Sequence, residues 1–218
     1  MRFQRHGGNP NIGVFSAANE DLAIISPDAS DEYVTDAEEA LRVKPIRTTV
    51  AGSFVVGSLV AMNSSCAVVS GLAEEAEIAI IQEKIPVHLL YSRYNAAGNN
   101  ILVNDHGALV NPNIDERELE QLEKALGVRC VRSAIAGIDT VGSACKVTNK
   151  GAVCHPNASD DDLKLIEKVL KVEAKRTTLN HGSHLIGPCL IANSKGALVG
   201  DLTTPIEMGK LEDGLNLF

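Results

Sequence analysis

The chain repeats one polar turn followed by one short apolar strand, and this repetition limits its possible folds more than any other feature. Residues 104–110 read NDHGALV, and the related phrases are NSSCAVV at 63–69, TNKGAV at 148–153 and NSKGALV at 193–199. Internal periods of about 20 to 50 residues are typical of folds assembled from equal supersecondary units. We therefore sought a register that covers the whole chain.

Three series of positions keep one register in five copies, with successive spacings of 44, 41, 44 and 45 residues. Members of the second series lie nine residues after those of the first, and members of the third lie 21 residues further on. The first series is Gly13, Gly57, Gly98, Gly142 and Gly187; the second is Leu22, Cys66, Gly107, Gly151 and Gly196; the third is Val43, Val87, Val128, Val172 and Leu217. Such agreement predicts five related units.

Each unit is predicted to be a β-hairpin, a helix and a further strand. Apolar and polar residues alternate on both sides of the polar turn, which indicates two paired strands. An amphipathic stretch follows, as in NIDERELEQLEKALG, where Asn113 is the predicted N-cap and Leu122 and Leu126 share one face. In NASDDDLKLIEKVLK the predicted cap is Asn157 or Ser159. The chain is therefore expected to be an α/β protein of five ββαβ repeats.

A ββαβ unit has an apolar sheet face and an apolar helix stripe, so it must bury both against its neighbours. The terminal units carry no strongly polar cap, and the fifth lacks its last strand. Residues 1–11 can supply that strand and remove free sheet edges. We expect a single domain, residues 1–218, that closes into a fivefold α/β propeller around a pseudo-fivefold axis. The predicted repeats are approximately 12–55, 56–96, 97–140, 141–185 and 186–218, the last closed by 1–11.

Composition limits the class of partner. The formal net charge is −8 and aromatic residues make up 3% of the chain, whereas nucleic-acid affinity depends mainly on Lys and Arg at phosphates. DNA binding and broad RNA binding are therefore not expected, and a basic protein suits the charge better. No apolar run approaches the roughly 18 residues of a membrane-spanning helix, so we expect no membrane partner and a cytoplasmic location.

The residues HGSH at 181–184 are the richest cluster of potentially reactive side chains. His181 and His184 lack an obvious third metal ligand, so no metal is expected. A nucleophile formed by Cys189 with either histidine is the enzymatic alternative, because fivefold α/β rings also carry guanidine-modifying enzymes. No phosphate-binding glycine motif occurs, and no cofactor is expected. The short repeats leave no room for a substrate lid, so the preferred interpretation is that the protein is not an enzyme.

Three arginines occupy one position of the repeat, four residues after the third series: Arg47, Arg132 and Arg176. They could line a central channel or bind an anionic partner. They could equally be edge charges that pair with neighbouring acids.

The chain resembles the family of translation initiation factor six, in its archaeal form. The resemblance rests on VAGSFVVGSLVAMNSSCAVV, AAGNNILVNDHGALVNP, VGSACKVTNKG and LIANSKGALVGDLTTP, in this order and over essentially the whole chain. It implies a pentein fold, a monomeric fivefold ring and no enzymatic activity. It also implies binding to the intersubunit face of the large ribosomal subunit, which blocks joining of the subunits, and a role in late maturation of the large subunit.

The resemblance also suggests site residues and a partner. In the family the binding face is thought to lie at one end of the pseudo-fivefold axis, and the partner is chiefly a ribosomal protein near the sarcin–ricin loop, with limited rRNA contact. Carried over to this chain, the ribosome-binding residues are Gly13, Gly57, Ser58, Asn99, Asn100, Gly142, Ser143, Pro188, Leu217 and Phe218.

Overall fold

The structure, a computed structural model, describes residues 1–217 as short strands and helices in a regular order. The strands are β1 (Arg2–Gln4), β2 (Ser16–Ala18), β3 (Leu22–Ile25), β4 (Lys44–Arg47), β5 (Val60–Met62), β6 (Ala67–Ser70), β7 (Val87–Leu90), β8 (Ile101–Val103), β9 (Ala108–Val110), β10 (Cys130–Arg132), β11 (Cys145–Val147), β12 (Ala152–Cys154), β13 (Ala174–Arg176), β14 (Leu190–Asn193) and β15 (Gly196–Gly200).

The helices are α1 (Asp31–Leu41), α2 (Val56–Leu59), α3 (Glu75–Gln82), α4 (Ala97–Asn100), α5 (Glu116–Leu126), α6 (Val141–Ala144), α7 (Asp160–Leu170) and α8 (Pro205–Leu215). Two short 3₁₀ turns, Ile12–Val14 and Gly187–Cys189, stand where α2, α4 and α6 stand in the other repeats. We number the repeats units 1 to 5 from the N-terminus. Each unit contains a short helical turn, two strands, a longer helix and a third strand.

The described strands form five separate three-stranded sheets with one common topology. In each sheet the first two strands are antiparallel, and the second and third are parallel. In unit 5 the third strand is β1, whose Arg2 lies opposite Leu198 of β15. The N-terminal segment therefore supplies the strand that the fifth repeat lacks, as the sequence predicts. Within residues 1–217 no single closed sheet is formed.

The apolar core lies between the units rather than within them. One cluster joins Val68 of unit 2 to Leu122 and Leu126 of α5 in unit 3. The last such cluster joins Leu198 of unit 5 to Leu41 of α1 in unit 1. Each of the five core clusters joins one unit to the next in this way. The five first strands β2, β5, β8, β11 and β14 also contact one another in cyclic order, because β14 contacts β2.

The longer helices begin with polar caps, but one cap is not where the sequence predicts it. Ser159 caps α7 through a hydrogen bond from the Asp162 backbone N–H, which confirms one of the two predicted caps. The prediction of Asn113 as the cap of α5 is wrong. The cap is Asp115, which accepts a hydrogen bond from the Glu118 N–H at 2.8 Å, and α5 begins at Glu116. Carboxylates in the first turn favour both helix starts by opposing the helix dipole.

Candidate functional site

Five glycines from five units approach one another's backbones at one end of the first strands. A Cβ built on Gly57 would lie 2.0 Å from the Gly13 carbonyl oxygen, and one on Gly98 would lie 1.9 Å from the Gly57 oxygen. The series continues through Gly142 and Gly187, and a Cβ on Gly13 would lie 2.2 Å from the Gly187 oxygen. We call these five residues the glycine ring. Only glycine permits so close a backbone approach.

A central cavity of about 60 Å³ opens beside the glycine ring. Its walls include the ring itself, small or apolar residues of the first strands such as Ala17, Ala61 and Leu102, and Lys146. Ser58, Asn99 and Pro188 lie at the same end and are half-buried. The structure therefore brings these three predicted residues together with the five glycines on one surface, which we call the ring face.

Asn100, also predicted to bind, is a structural residue. It is only 4% exposed, and its amide Nδ2 donates to the carbonyls of Tyr94 at 3.1 Å and Ala96 at 3.0 Å. Its Oδ1 accepts from Asn111 at 2.7 Å. These bonds connect Asn100 to the loop before α4 and leave its side chain buried rather than on the ring face.

Ser143 is likewise removed from the ring face by burial. Its exposed fraction is 8%, and Gly187 of the next unit lies close to its backbone, with a Cβ position 3.2 Å from the Ser143 Cα. The sequence could not indicate this, since Ser58 has the same position in its unit and stays half-buried.

The C-terminal candidate lies away from the ring face. Leu217 follows α8. The end of α8 contacts the hairpin turn at Gly151, because a Cβ built on Gly151 would lie 2.9 Å from the Leu215 Cα. That turn is at the opposite end of β11 from Gly142. Leu217 is half-buried against the core between units 4 and 5, so it does not join the ring face. The other C-terminal candidate, Phe218, lies outside the described residues.

The hairpin turns at the far end form a second set of contacts between units. Asn104 donates through Nδ2 to the Thr148 carbonyl at 3.0 Å and to the Leu170 carbonyl, at the end of α7, at 2.9 Å. Asn63 and Asn193 make the equivalent bonds to the ends of α5 and α1. These asparagines satisfy helix C-terminal carbonyls that have no partner within their own helix.

In the repeated phrase, the residue that joins neighbouring units is the first one, such as Asn104, and not the histidine His106. His106 is exposed, and its backbone N–H donates to Asn104 Oδ1. The signal was present in the sequence, because three of the four aligned phrases begin with Asn and the fourth with Thr148.

The residues of the enzymatic alternative do not form a nucleophile and base pair. Burial raises the pKa of the Cys189 thiol to about 11. Its Sγ donates to the Leu185 carbonyl at 3.2 Å, and within residues 1–217 no imidazole is among its hydrogen-bond partners. The His184 ring contacts His155 instead, at 5.2 Å between ring centroids, and burial and that neighbour lower the pKa of His155. A nucleophile needs an adjacent base or a lowered pKa.

His181 is held in a tight turn by its backbone rather than by its ring. The His181 N–H donates to Glu207 Oε2 at 3.1 Å, and the residue has φ of 62°. In the described part of the chain, no group of three or more His, Cys, Asp or Glu residues could hold a metal ion.

The three repeated arginines pair with acids at the start of the helix in their own unit. Arg132 Nη1 lies 2.8 Å from Glu116 Oε2, and the partners of Arg47 and Arg176 are Asp31 and Asp160. The edge-charge interpretation is therefore confirmed, and none of the three lines the central cavity.

Lys146 is the residue of the central cavity that the sequence argument missed. It is the charged residue among the described cavity walls, and burial lowers its pKa to about 8. The sequence distinguishes Lys146 by its position in the repeat, four residues after a ring glycine. The residues at that position in the other units are apolar: Ala17, Ala61, Leu102 and Ile191.

Comparison with known proteins gives one family. The model of the eIF-6 family matches residues 1–214. Translation initiation factor 6 of Methanosphaerula palustris is 42% identical over 213 residues, covering 98% of this chain and 96% of its own. The protein of the same name from Methanococcoides burtonii is 44% identical over 207 residues, covering 95% and 94%. That of Thermoplasma acidophilum is 38% identical over 205 residues, covering 94% of both. In the described part of the structure, none of the helices has the length and apolar character needed to cross a membrane.

Proposed function

Because the chain belongs to the eIF-6 family, we propose that it is a translation factor that binds the large ribosomal subunit on its intersubunit face. Bound there, it prevents the small subunit from joining, and it also accompanies late maturation of the large subunit. The observation that carries the proposal is the match to the family over residues 1–214, together with relatives named Translation initiation factor 6.

The ring face supports the proposal as the contact surface. Six of the predicted binding positions lie there around one cavity mouth: Gly13, Gly57, Ser58, Asn99, Gly142 and Pro188. Their side chains are small or short, so a flat partner can approach the backbone closely. Residues with small side chains also lose little side-chain entropy on binding.

The charge of the chain favours a protein partner over extensive RNA contact. A net charge of −8 opposes phosphate but complements a basic ribosomal protein, whose encounter it would speed and orient. We propose that the main contact is a ribosomal protein near the sarcin–ricin loop, with limited rRNA contact, and that the factor acts as a monomer.

The proposed mechanism is steric exclusion and requires no chemistry. A rigid body on a surface needed by the small subunit blocks joining as long as the site stays occupied. Free factor at about 100 times its dissociation constant leaves roughly 1% of sites open, which costs the competing subunit about 2.7 kcal/mol.

We propose further that the five units close into a pentein-type propeller, which gives the factor this rigidity. The cyclic order of the core clusters and of the glycine ring supports closure, since unit 5 contacts unit 1 in both. Small-angle scattering should then show a compact particle, and an elongated one would contradict closure.

Co-sedimentation with purified large subunits tests the proposed contact. Asn99→Arg and Ser58→Glu should each weaken binding about tenfold or more, equal to about 1.4 kcal/mol, with an unchanged circular dichroism spectrum. The matched controls His106→Arg and Ser65→Glu place the same new charges on exposed residues at the hairpin-turn end. Equal binding by all four variants would remove the ring face from the contact. Failure of the unaltered protein to bind large subunits would reject the function itself.

A further inference from the structure

One position of the repeat is polar in three units and apolar in two. It lies fifteen residues after the ring glycine, where the chain leaves the second strand for the longer helix. Units 2 and 5 carry leucine there, and both leucines are exposed, Leu72 by 68% and Leu202 by 51%. In units 1, 3 and 4 the residues at this position are Asp28, Asn113 and Asn157. The fold of a unit therefore does not select leucine at this position.

In unit 2 an exposed aromatic ring adjoins the leucine. The Tyr91 ring lies against Gly71, because a Cβ built on Gly71 would lie 2.6 Å from the Tyr91 Cδ1. Tyr91 is 74% exposed, and Gly71 directly precedes Leu72. Strand β6 ends here beside the start of β5, which follows Gly57. Leu72 and Tyr91 therefore form an apolar group at the same end of the sheet as the ring face.

Unit 5 presents a second exposed apolar group. Phe3 of β1 lies opposite Val199, at the place that Arg176 has in the sheet of unit 4, and its ring is half-exposed. Ile206, in the first turn of α8, is 76% exposed. Phe3, Leu202 and Ile206 lie near the point where β15 ends and α8 begins. This is again the ring-face end, because β15 ends beside the start of β14.

Unit 1 separates the two apolar groups and is the most acidic of the units. It shares core clusters with unit 5 on one side and with unit 2 on the other. Residues 12–55 contain eight Asp and Glu against three Lys and Arg, a net charge of −5, whereas the whole chain has −8. At the ring-face end of unit 1, Asp31 and Glu32 begin α1 and are exposed.

This arrangement fits a protein partner better than RNA. Large apolar side chains that are exposed in groups mark contact sites, whereas those scattered singly are ordinary. Tyrosine is among the residue types that most often dominate the binding energy of protein interfaces. The negative charge of unit 1 repels phosphate but attracts Lys and Arg. The matching partner therefore has apolar side chains on both sides of a basic centre.

We propose that a basic protein binds across unit 1, with the apolar groups of units 2 and 5 as its two anchors. The acids of unit 1 face the basic residues of that protein. The proposal rests on the proposed function, in which the partner is a ribosomal protein of the large subunit, and it assigns the position of that protein on the factor.

Binding of the full-length protein to purified large subunits tests the two anchors. Leu72→Asn and Leu202→Asn introduce the residue that units 3 and 4 carry at this position, so both variants should keep the melting temperature of the unaltered protein. Each should weaken binding about tenfold, and the double variant about a hundredfold, because the effects of distant contacts add. The control Ile80→Asn removes an exposed apolar residue of α3 in unit 2, away from the ring-face end, and should bind normally.

A charge reversal tests the acidic centre. Glu32→Lys and its control Asp161→Lys change the second helical residue of α1 in unit 1 and of α7 in unit 4. Glu32→Lys should slow association with large subunits about three- to tenfold at low salt and less at high salt. Asp161→Lys should leave the association rate unchanged, and an equal effect of the two variants would contradict the role of unit 1.

Unchanged binding by the double leucine variant, under conditions where the unaltered protein binds, would overturn this proposal and leave the proposed function standing. A loss confined to one leucine would also overturn it, because the partner would then not span unit 1. If the unaltered protein sediments as a dimer and the double variant as a monomer, a second copy covers this surface instead. Failure of the unaltered protein to bind large subunits would reject the proposed function, and this proposal with it.

Discussion

The Cα of Gly57 faces the carbonyl oxygen of Gly13 so closely that a Cβ on Gly57 would lie 2.0 Å from it. Both partners in this contact are backbone, so neither can move aside as a flexible side chain would. The same relationship joins every pair of neighbouring units, and the glycine ring is therefore a requirement of the association of the units.

Gly57→Ala is expected to destabilise the protein, because the added methyl group must displace the backbone of the neighbouring unit. The cost should be near the upper end of the about 1–3 kcal/mol typical of overpacked sites. Urea unfolding, followed by circular dichroism, measures the free energy of unfolding.

Gly209→Ala is the matched control for this substitution. Gly209 is exposed in α8, and nothing lies within 4 Å of its Cβ position. Alanine there should stabilise the protein by up to about 1 kcal/mol through helix propensity. A similar loss of stability in both variants would show that the Gly57 contact is not the cause.

Thr148→Asn should stabilise the protein by completing the set of hairpin-turn amides. In the turn of Asn104, the Cβ position of Gly107 lies 2.2 Å from a carbonyl oxygen near the end of α7. In the turn of Thr148, the Cβ position of Gly151 lies at the same distance from a carbonyl oxygen near the end of α8. An amide at position 148 can therefore reach the last carbonyls of α8. A gain of about 1 kcal/mol in unfolding free energy is expected, the net value of a buried hydrogen bond.

The reverse change, Asn104→Thr, should cost about 1–3 kcal/mol, because it leaves the Leu170 carbonyl without its donor. If the two variants do not change stability in opposite directions, the amides do not join the units in the way the contacts indicate.

Glu207 is expected to make the free energy of unfolding depend on pH in the acidic range. Although burial alone would raise its pKa, hydrogen bonds from the Thr204 and Gly182 N–H groups and the Thr178 hydroxyl lower it to about 2. A lowered folded-state pKa contributes stability above the unfolded pKa of about 4.3, and that contribution is lost as the pH falls towards 2. The loss should be on the order of 2–3 kcal/mol.

Glu207→Gln should reduce this acid dependence in urea titrations between pH 5 and about 2. Glu75→Gln, an exposed carboxylate in the first turn of α3, is the control and should retain the slope of the unaltered protein. An unchanged slope in Glu207→Gln would assign the acid sensitivity to other carboxylates. The second buried acid, Glu77 of unit 2, accepts from the Ala51 N–H in the equivalent turn after β4 of unit 1 and also has a lowered pKa.

All five cysteines should resist modification in the folded protein. They are buried, and burial raises the pKa of Cys189 to about 11 and that of Cys130 to about 12. Because the thiolate is the reactive form, Ellman's reagent at pH 7.5 should react with the thiols only as the protein unfolds. A thiol that reacts rapidly in the folded state, and is lost in Cys189→Ala, would revive the enzymatic alternative.

Sequence periodicity predicts the hairpin, the longer helix and the third strand of each unit, but not the short helical turn with which each unit begins. It misplaces the start of α5, because Asn113 and Asp115 are both good caps and the choice depends on local geometry. It also cannot separate Ser58 from Ser143 or Asn99 from Asn100. These differences in burial depend on contacts with the neighbouring unit and with the loop before α4. The repeat pattern of the sequence does not show those contacts.

The pairing of Arg2 with Leu198 has a consequence for synthesis on the ribosome. Strand β1 is made well before its partner β15, because Leu198 follows Arg2 by 196 residues (198 − 2). Until then the nascent chain carries an unpaired strand at its start and the exposed face of unit 1, both of which favour aggregation. The sheet of unit 5 therefore cannot form until β15 has been made.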